Sequence, residues 1–340
     1  MKYLLAFIIP VLGYISLLSQ GIWSYLVVII ALVGIAIVDL LIGTRSQQFT
    51  KEEEKELSGK WGYKVLPRLM VPIQYGALIV FFNALSESPG LITSVGLTLS
   101  MGILCGVAGI NVAHELGHKP SKFDQFLSKA LLLSSSYLHF FIEHNEGHHK
   151  NVGKPDEPGT ASKGESFYLF YLRALVNVYA HAWQIEVSRL RQNGRNTLSI
   201  GNRMLQFLFV QIAFWIGIAV VYGWLGLLGF IGASLVGVLL LESLNYVEHY
   251  GLVRKEIRPG IYETISPKHS WNSDHWLSRT VLFDLPLHAD HHMYGSKEYQ
   301  ILNSRDEAPQ MPLGYAGMIL MALVPPIWFR VMDKKVDALK

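Results

Sequence analysis

The chain is 340 residues long, 51% of them hydrophobic, with a net charge of +3 at neutral pH. That apolar content exceeds what a soluble core needs and points to a bilayer, while so small a net charge gives no basis for a nucleic-acid-binding class. The one cysteine, Cys105, excludes an internal disulfide and any four-thiolate iron or zinc site built from this chain alone; inside its apolar run it reads as a small buried hydrophobe.

A spanning helix takes about 20 apolar residues. Tyr3 to Ser19 lacks a small-x-small cleavage site and is followed at once by Trp23 to Ile42, so it is predicted to be an uncleaved first span. "TKEEEKELSGK" (Thr50 to Lys60) then reads as a solvated helix with Thr50 as its N-cap and acids in its first turn. Leu69 to Leu85 and Leu91 to Val112 form a second pair of spans, Leu205 to Tyr222 and Leu225 to Leu244 a third. Between them, Phe126 to Ile142 is shorter and interrupted by Ser134, Ser135 and Ser136. A crossing there would put the histidines on its two sides on opposite faces of the membrane, so an interfacial or re-entrant helix is expected. Leu313 to Phe329 is broken by Pro325 and Pro326 and is expected to lie along the surface.

The connections inside the three hairpins, "SQGI", "SESPG" and "YGWLG", contain no lysine or arginine, and all 29 basic residues lie elsewhere. This positive-inside pattern predicts that both termini and all large loops face the cytoplasm. The expected fold is an all-α integral membrane protein of about six transmembrane helices in three hairpins. It forms one membrane-embedded domain over 1–340, with cytoplasmic catalytic segments at 113–203 and 245–312.

Nine of the thirteen histidines fall in four clusters: "HELGH" (His114, His118), "EHNEGHH" (His144, His148, His149), "NYVEHYG" (His249) and "HADHH" (His288, His291, His292). His114 and His118 are one helical turn apart and share a face; His144 and His148 repeat that spacing, and His288, His291 and His292 stand at i, i+3, i+4. Each cluster sits at or just beyond the predicted cytoplasmic end of an apolar segment, so the folded chain can gather them. Converging neutral imidazoles make a metal site. His139 and His181 stand alone and read as structural residues.

"HELGH" by itself is the helix of a zinc metalloprotease, with Glu115 as general base. That reading uses two histidines, borrows a third and leaves six without a role, whereas two metal ions at four or five ligands each use all nine. A transporter would spread its histidines through the membrane depth instead of gathering them on one side. Two redox-capable ions beside an apolar cavity suggest oxygen chemistry on an unactivated C–H bond.

Together "HELGHK", "EHNEGHHKNVGKPDEP", "GESFY", "LNYVEHYGLVR", "HSWNSDH" and "HADHH" resemble the integral-membrane alkane 1-monooxygenases, a family within the histidine-rich membrane di-iron desaturase and hydroxylase superfamily. The resemblance runs from about Asn111 to Gln300. It implies two non-haem iron ions held by His114, His118, His144, His148, His149, His249, His288, His291 and His292. It also implies terminal hydroxylation of an alkane drawn from the bilayer, O2 as oxidant, and electrons from rubredoxin or ferredoxin and a reductase in a bacterial inner membrane. A rubredoxin needs four thiolates, so the electron carrier is expected to be a separate protein, attracted by Lys150, Lys154, Lys163 and Arg173. A sibling oxygenase acting on alkylaromatic methyl groups or fatty acyl chains shares the clusters.

Glu115, Glu143, Glu248 and Asp290 each adjoin a ligand histidine or stand within the last cluster, where a carboxylate accepts the second ring N–H. Glu165 and Asp156 are further carboxylate candidates, His269 and His275 are expected to shape the site, bind a partner or support the fold, and Asn245 and Tyr246 are placed to line the route to the metals. The sequence departs from the family at Leu285, Pro286 and Leu287, where many members carry Leu-Gln-Arg.

Overall fold

The computed structural model describes residues 2–87 and 89–339; Ser88, in the predicted "SESPG" connection, lies outside them. The chain is mostly helical, and among the described residues four helices are long and apolar enough to cross a membrane: α2 (Gly21–Ile42), α4 (Trp61–Ser86), α5 (Leu91–Gly117) and α9 (Arg203–His249). The first helix, α1 (Lys2–Leu17), is shorter than the span predicted there. Its first six residues are a 3-10 helix, whose greater rise stretches the whole to about 27 Å. α3 (Lys51–Ser58) has the predicted cap, with Thr50 accepting from the Glu53 N–H and Glu53 reaching back to the Thr50 N–H at 2.8 Å.

α9 is two helices. Gly223 sits at φ 68°, a left-handed conformation open to glycine. Phe214 and Phe230, which a straight helix would hold about 24 Å apart, have ring centroids 5.5 Å apart. The two arms therefore fold back on one another at Gly223. α5 packs on the second arm through small residues: a Cβ on Gly237 would lie 2.6 Å from Cys105 Cβ and 3.0 Å from the Gly106 amide nitrogen. Close backbone approach of this kind is how helices associate in lipid, where apolar burial drives little. Ile37, Leu41, Phe209 and Val220 point outward, as a lipid-facing surface requires.

α6 (Lys122–Leu133) starts beside α4, where Arg68 grips Asp124 at 2.7 Å. It runs inward until the Ser134 carbonyl lies 3.6 Å from Cys105 Sγ. The chain reverses at Ser134–Ser136 and returns through α7 (140–151), so the segment expected to be interfacial or re-entrant dips in and comes back. α8 (Phe167–Gln192), not foreseen from the sequence, follows a Ser166 cap. Beyond α9 come a two-stranded hairpin (β1, Glu256–Arg258; β2, Ile261–Tyr262), α10 (Trp276–Val281) and α11 (His288–Met293). Last come α12 (Tyr315–Ala322) and α13 (Pro325–Asp337), bent by 120° at the predicted proline break.

The first and last described helices are each tied to the loops around the histidine clusters. Lys2 and Tyr3 bond Asp284 at 3.1 and 2.5 Å, Glu54 of α3 binds Lys297, and Tyr250 donates to Asp333.

Candidate metal centre

All nine clustered histidines come together, in two groups: His114, His118, His144, His149 and His291 in one; His148, His249, His288 and His292 in the other. Within each group the ligand nitrogens lie within 4.8 Å of one another. The groups adjoin, with the rings of His149 and His292 4.6 Å apart.

Local geometry decides which imidazole goes where. α-Helical spacing puts His114 and His118 in one group and His288 and His292 in the other, sending His291 across. The same rule pairs His144 with His148, but residues 143–148 form a π-turn. The wider turn aligns i with i+5, so His149 joins His144 and His148 faces the second group. A second π-turn, at 105–110, precedes His114.

The nitrogens are spaced for a cation. Nε2 of His144 lies 3.0 Å from Nε2 of both His118 and His149; Nε2 of His149 lies 3.1 Å from that of His291. In the second group Nε2 of His288 is 3.1 Å from His249 and 2.9 Å from His292. A neutral ring nitrogen either donates or accepts, so hydrogen bonds do not satisfy this many converging atoms. Separations of about 3 Å are those of neighbouring ligands on one metal ion at about 2.1 Å. His114 Nε2 and His148 Nε2, one in each group, are buried with no hydrogen-bond partner among the described residues. The donor set therefore fits two metal ions, five imidazoles to one and four to the other.

Burial, and after it the nearby imidazoles, hold His144, His149, His288, His291 and His292 well below the usual imidazole range, leaving neutral rings with free lone pairs. In His148 burial pulls the same way, but the charge and hydrogen bond of Glu157 outweigh it and raise the imidazole to about 9. Glu157, against the upward pull of burial, is drawn down to about 2. It accepts from His148 Nδ1 at 2.9 Å, from the Gly159 N–H at 2.9 Å and from Thr160 at 2.5 Å. This directs His148 Nε2 towards the second group.

Glu157 lies inside the quoted "KPDEP" run, yet the sequence pointed to its neighbours. Asp156 is exposed, and Glu165 pairs with Arg173 at 2.8 Å. Of the four carboxylates adjoining the clusters, one faces a ligand: Glu248 Oε2 is 3.3 Å from His288 Nε2, and its other oxygen accepts from Tyr315 at 2.6 Å. Glu115 binds Lys119 at 2.5 Å, Glu143 binds His181 at 3.0 Å, and Asp290 is taken by Lys297 and Arg305. Adjacent residues of a helix point in different directions, which separates these carboxylates from the imidazoles beside them. Glu115 so engaged does not fit a protease general base.

The "HSWNSDH" segment braces the site. The His269 carbonyl lies 3.3 Å from His249 Nδ1, Trp271 donates its amide to the Glu248 carbonyl, and Asn272 accepts from the Ala289 N–H at 2.8 Å. His275 bonds Ser273 at 2.9 Å. Asn245 donates to Glu242, a fully buried carboxylate that also accepts from Tyr137 at 2.7 Å; Tyr246 packs among aromatic rings and donates to the Glu165 carbonyl. Leu285 and Leu287 are buried in apolar clusters.

Residues 90–320 match the fatty acid desaturase family. Alkane 1-monooxygenase 1 of Pseudomonas aeruginosa is 39% identical over 321 residues, covering 93% of this chain and 84% of that protein. Alkane 1-monooxygenase 1 of Alcanivorax borkumensis is 39% identical over 96% of this chain and 81% of its own length. The chain belongs to the alkane 1-monooxygenase family. The xylene/toluene monooxygenase hydroxylase component of Pseudomonas putida is similar at a lower level, 28% over 78% of this chain and 72% of that protein. A monooxygenase needs a cavity for its substrate. An apolar one of about 60 Å³ runs between Ala31, Ile35, Val107 and Leu240, reaching Asn111 and Tyr315 at its upper end. Tyr315 is the residue that bonds Glu248.

Proposed function

We propose that the chain hydroxylates the terminal methyl of medium- and long-chain n-alkanes to primary alcohols, using two iron ions held by the nine histidines. The observation that carries this reading is the convergence of nine imidazoles, seven of them buried, into two groups, with an apolar cavity that reaches Asn111 and Tyr315, in a member of the alkane 1-monooxygenase family. The reaction balances as alkane, O2, two electrons and two protons giving alcohol and water. Bound iron supplies the redox chemistry that activates O2.

The protein's own residues do the rest. Aliphatic side chains such as Ile35, Val107 and Leu240 line a space of about 60 Å³ that takes only the end of a hydrocarbon drawn from the bilayer, facing Asn111 and Tyr315. Confinement then favours the terminal methyl over weaker secondary C–H bonds held further off. Seven of the nine rings are buried and His118 and His149 are half-buried, which limits bulk water at the reacting end. Tyr315 fixes Glu248 beside His288, and Glu157 fixes His148.

In this reading six spans cross an inner membrane, α9 contributing two, with the site and both termini on the cytoplasmic side. Electrons come from a separate rubredoxin or ferredoxin with its reductase. Lys163 and Arg173 already pair with Asp337 and Glu165 on the chain itself, which leaves Lys150 and Lys154 as the cations of that set without an acidic partner among the described residues. A second reading, oxidation of a methyl group on an aromatic ring, is favoured by the xylene/toluene likeness.

The test is a whole-cell assay with a rubredoxin and its reductase, supplying octane, dodecane, hexadecane and xylene and identifying products by gas chromatography, with metal counted in the purified protein. Primary alcohols over a window of alkane lengths and two irons per chain are expected. Xylene oxidation without alkane products would replace the first reading with the second, and one zinc with no redox activity would overturn both.

A further inference from the structure

A second cavity, of about 240 Å³, lies at the re-entrant turn, between it, α8 and the two arms of α9. It is apart from the metal centre: Ser234, which lines it, is fifteen residues before His249 on one helix arm, or about 22 Å along the axis. Tyr179 and Leu235 also line it and are 40% and 47% exposed, so the cavity opens on the apolar outer surface of the bundle.

Its wall carries polar groups with spare capacity. Ser234 is 4% exposed and its hydroxyl has no partner. His139 touches Tyr137 and Tyr179 through ring faces and edges, and neither of its ring nitrogens has a hydrogen-bond partner among the described residues. Ser136, held at φ 53°, accepts from the Trp215 indole at 3.0 Å and keeps its own proton to donate. A buried hydroxyl left unpaired, as in Ser234, is costly, more so at apolar depth, and the half-buried His139 ring adds a second open polar group beside it.

The chemistry of the wall narrows the ligand. A hydrocarbon leaves these groups unpaired. An anionic head, such as a carboxylate or phosphate, finds no lysine or arginine among the lining residues. A single hydroxyl on an alkyl chain both donates to His139 and accepts from Ser234 or Ser136, while its tail follows Leu235 and Val238. We propose that this cavity binds the hydroxyl end of a long-chain primary alcohol. The identification with product rests on the alkane-hydroxylase reading above; the shared chemistry of an alkyl hydroxyl also describes the free hydroxyl of a diacylglycerol.

The experiment is photolabelling of the full-length, metal-loaded protein in phosphatidylcholine nanodiscs with a diazirine-bearing primary alcohol, the labelled residues located by mass spectrometry. Competitors are 1-dodecanol, n-dodecane, dodecanoate and dioleoylglycerol. Labelling is expected within 135–139, 175–179 and 231–238, suppressed by 1-dodecanol and not by dodecane or dodecanoate. Ser234→Ala and His139→Phe are each expected to weaken it about tenfold, the worth of one hydrogen bond, at unchanged metal content. Labelling elsewhere, equal suppression by dodecane, or undiminished labelling in both variants overturns the proposal. Suppression by dioleoylglycerol but not by dodecanol overturns the product assignment in favour of a lipid. Because no turnover is involved, failure of the alkane assay alongside protection by dodecanol would count against the catalytic reading, and alkane oxidation without protection would count against this site.

Discussion

Glu157→Gln separates the two halves of the metal centre. The carboxylate is 2% exposed and accepts three hydrogen bonds, from His148 Nδ1, the Gly159 N–H and Thr160. The amide keeps the shape but removes the charge that raises His148 and directs its free nitrogen inward. A hydrogen bond to a charged group contributes ~1.5–3 kcal/mol, and loss of an outer partner of a ligating histidine weakens metal binding by about 10–100-fold. His148 belongs to the four-imidazole group, so the loss falls on that ion alone; the five-imidazole group has no bond to Glu157. The assay is titration of the metal-free protein with Fe2+ against a competing chelator, in which the native protein is expected to load two ions and the variant to load one normally and the other 10–100-fold more weakly. Asp156→Asn, one residue away and exposed, is expected to change nothing. Equal weakening of both ions, or no weakening of either, would refute the assignment of Glu157 as the group that orients His148.

His148→Ala removes a buried imidazole whose Nε2 has no protein partner and is expected to abolish product, read by gas chromatography, while immunoblotting shows unchanged protein in the membrane. Glu186 is buried, and although burial pulls its carboxyl up, hydrogen bonds from Arg189 and Arg203 hold it down to about 2. A carboxyl depressed in the fold stabilises fully above its unfolded value near ~4.3 and loses that contribution as pH falls towards 2, so the ~3 kcal/mol separating native protein from Glu186→Gln is expected to close between about pH 4.5 and 2 in thermal unfolding. Gly223→Ala places a side chain in open space at φ 68°, so the expected cost is conformational, ~1–2 kcal/mol, read as a lowered melting temperature. Leu287→Arg, which restores the residue common in the family, puts a charge at a position with no exposed surface inside an apolar cluster; a loss of at least ~3 kcal/mol is expected, seen as reduced yield and melting temperature in detergent.

What the sequence made legible was local or periodic. Thr50 caps its helix because the N-cap rule needs four consecutive residues and nothing else. The break at Pro325 and the reversal at Ser134–Ser136 were readable because proline lacks an amide donor and a run of serines interrupts apolar spacing. Even the folding back of α9 was visible in "YGWLG" and the missing basic residues around it. α8 was not visible: several of its exposed positions, Tyr168, Leu169, Leu172 and Val176, are apolar, and a charged Glu186 interrupts its otherwise apolar buried row, which together blur the contrast that periodicity reads.

The partners of the candidate carboxylates were hidden for a different reason. Glu115, Glu143 and Asp290 sit beside histidines in sequence, but their partners Lys119, His181 and Arg305 are fixed by how helices and loops meet. Glu157 reaches His148 across a loop closed by Gly153, Gly159 and Thr160. The assignment of His148 and His149 turns on one extra residue in a helical turn, since α-helical spacing would put His148 with His144 and leave each metal a different donor set. The i, i+4 pairs at His114 and His288 needed no such correction because their helical turns are regular. The residue types therefore announce histidine clusters suited to metal, whereas the division of the imidazoles into five and four is written in backbone geometry: straightening the 143–148 turn would rotate one imidazole out of each group while leaving every histidine in the sequence.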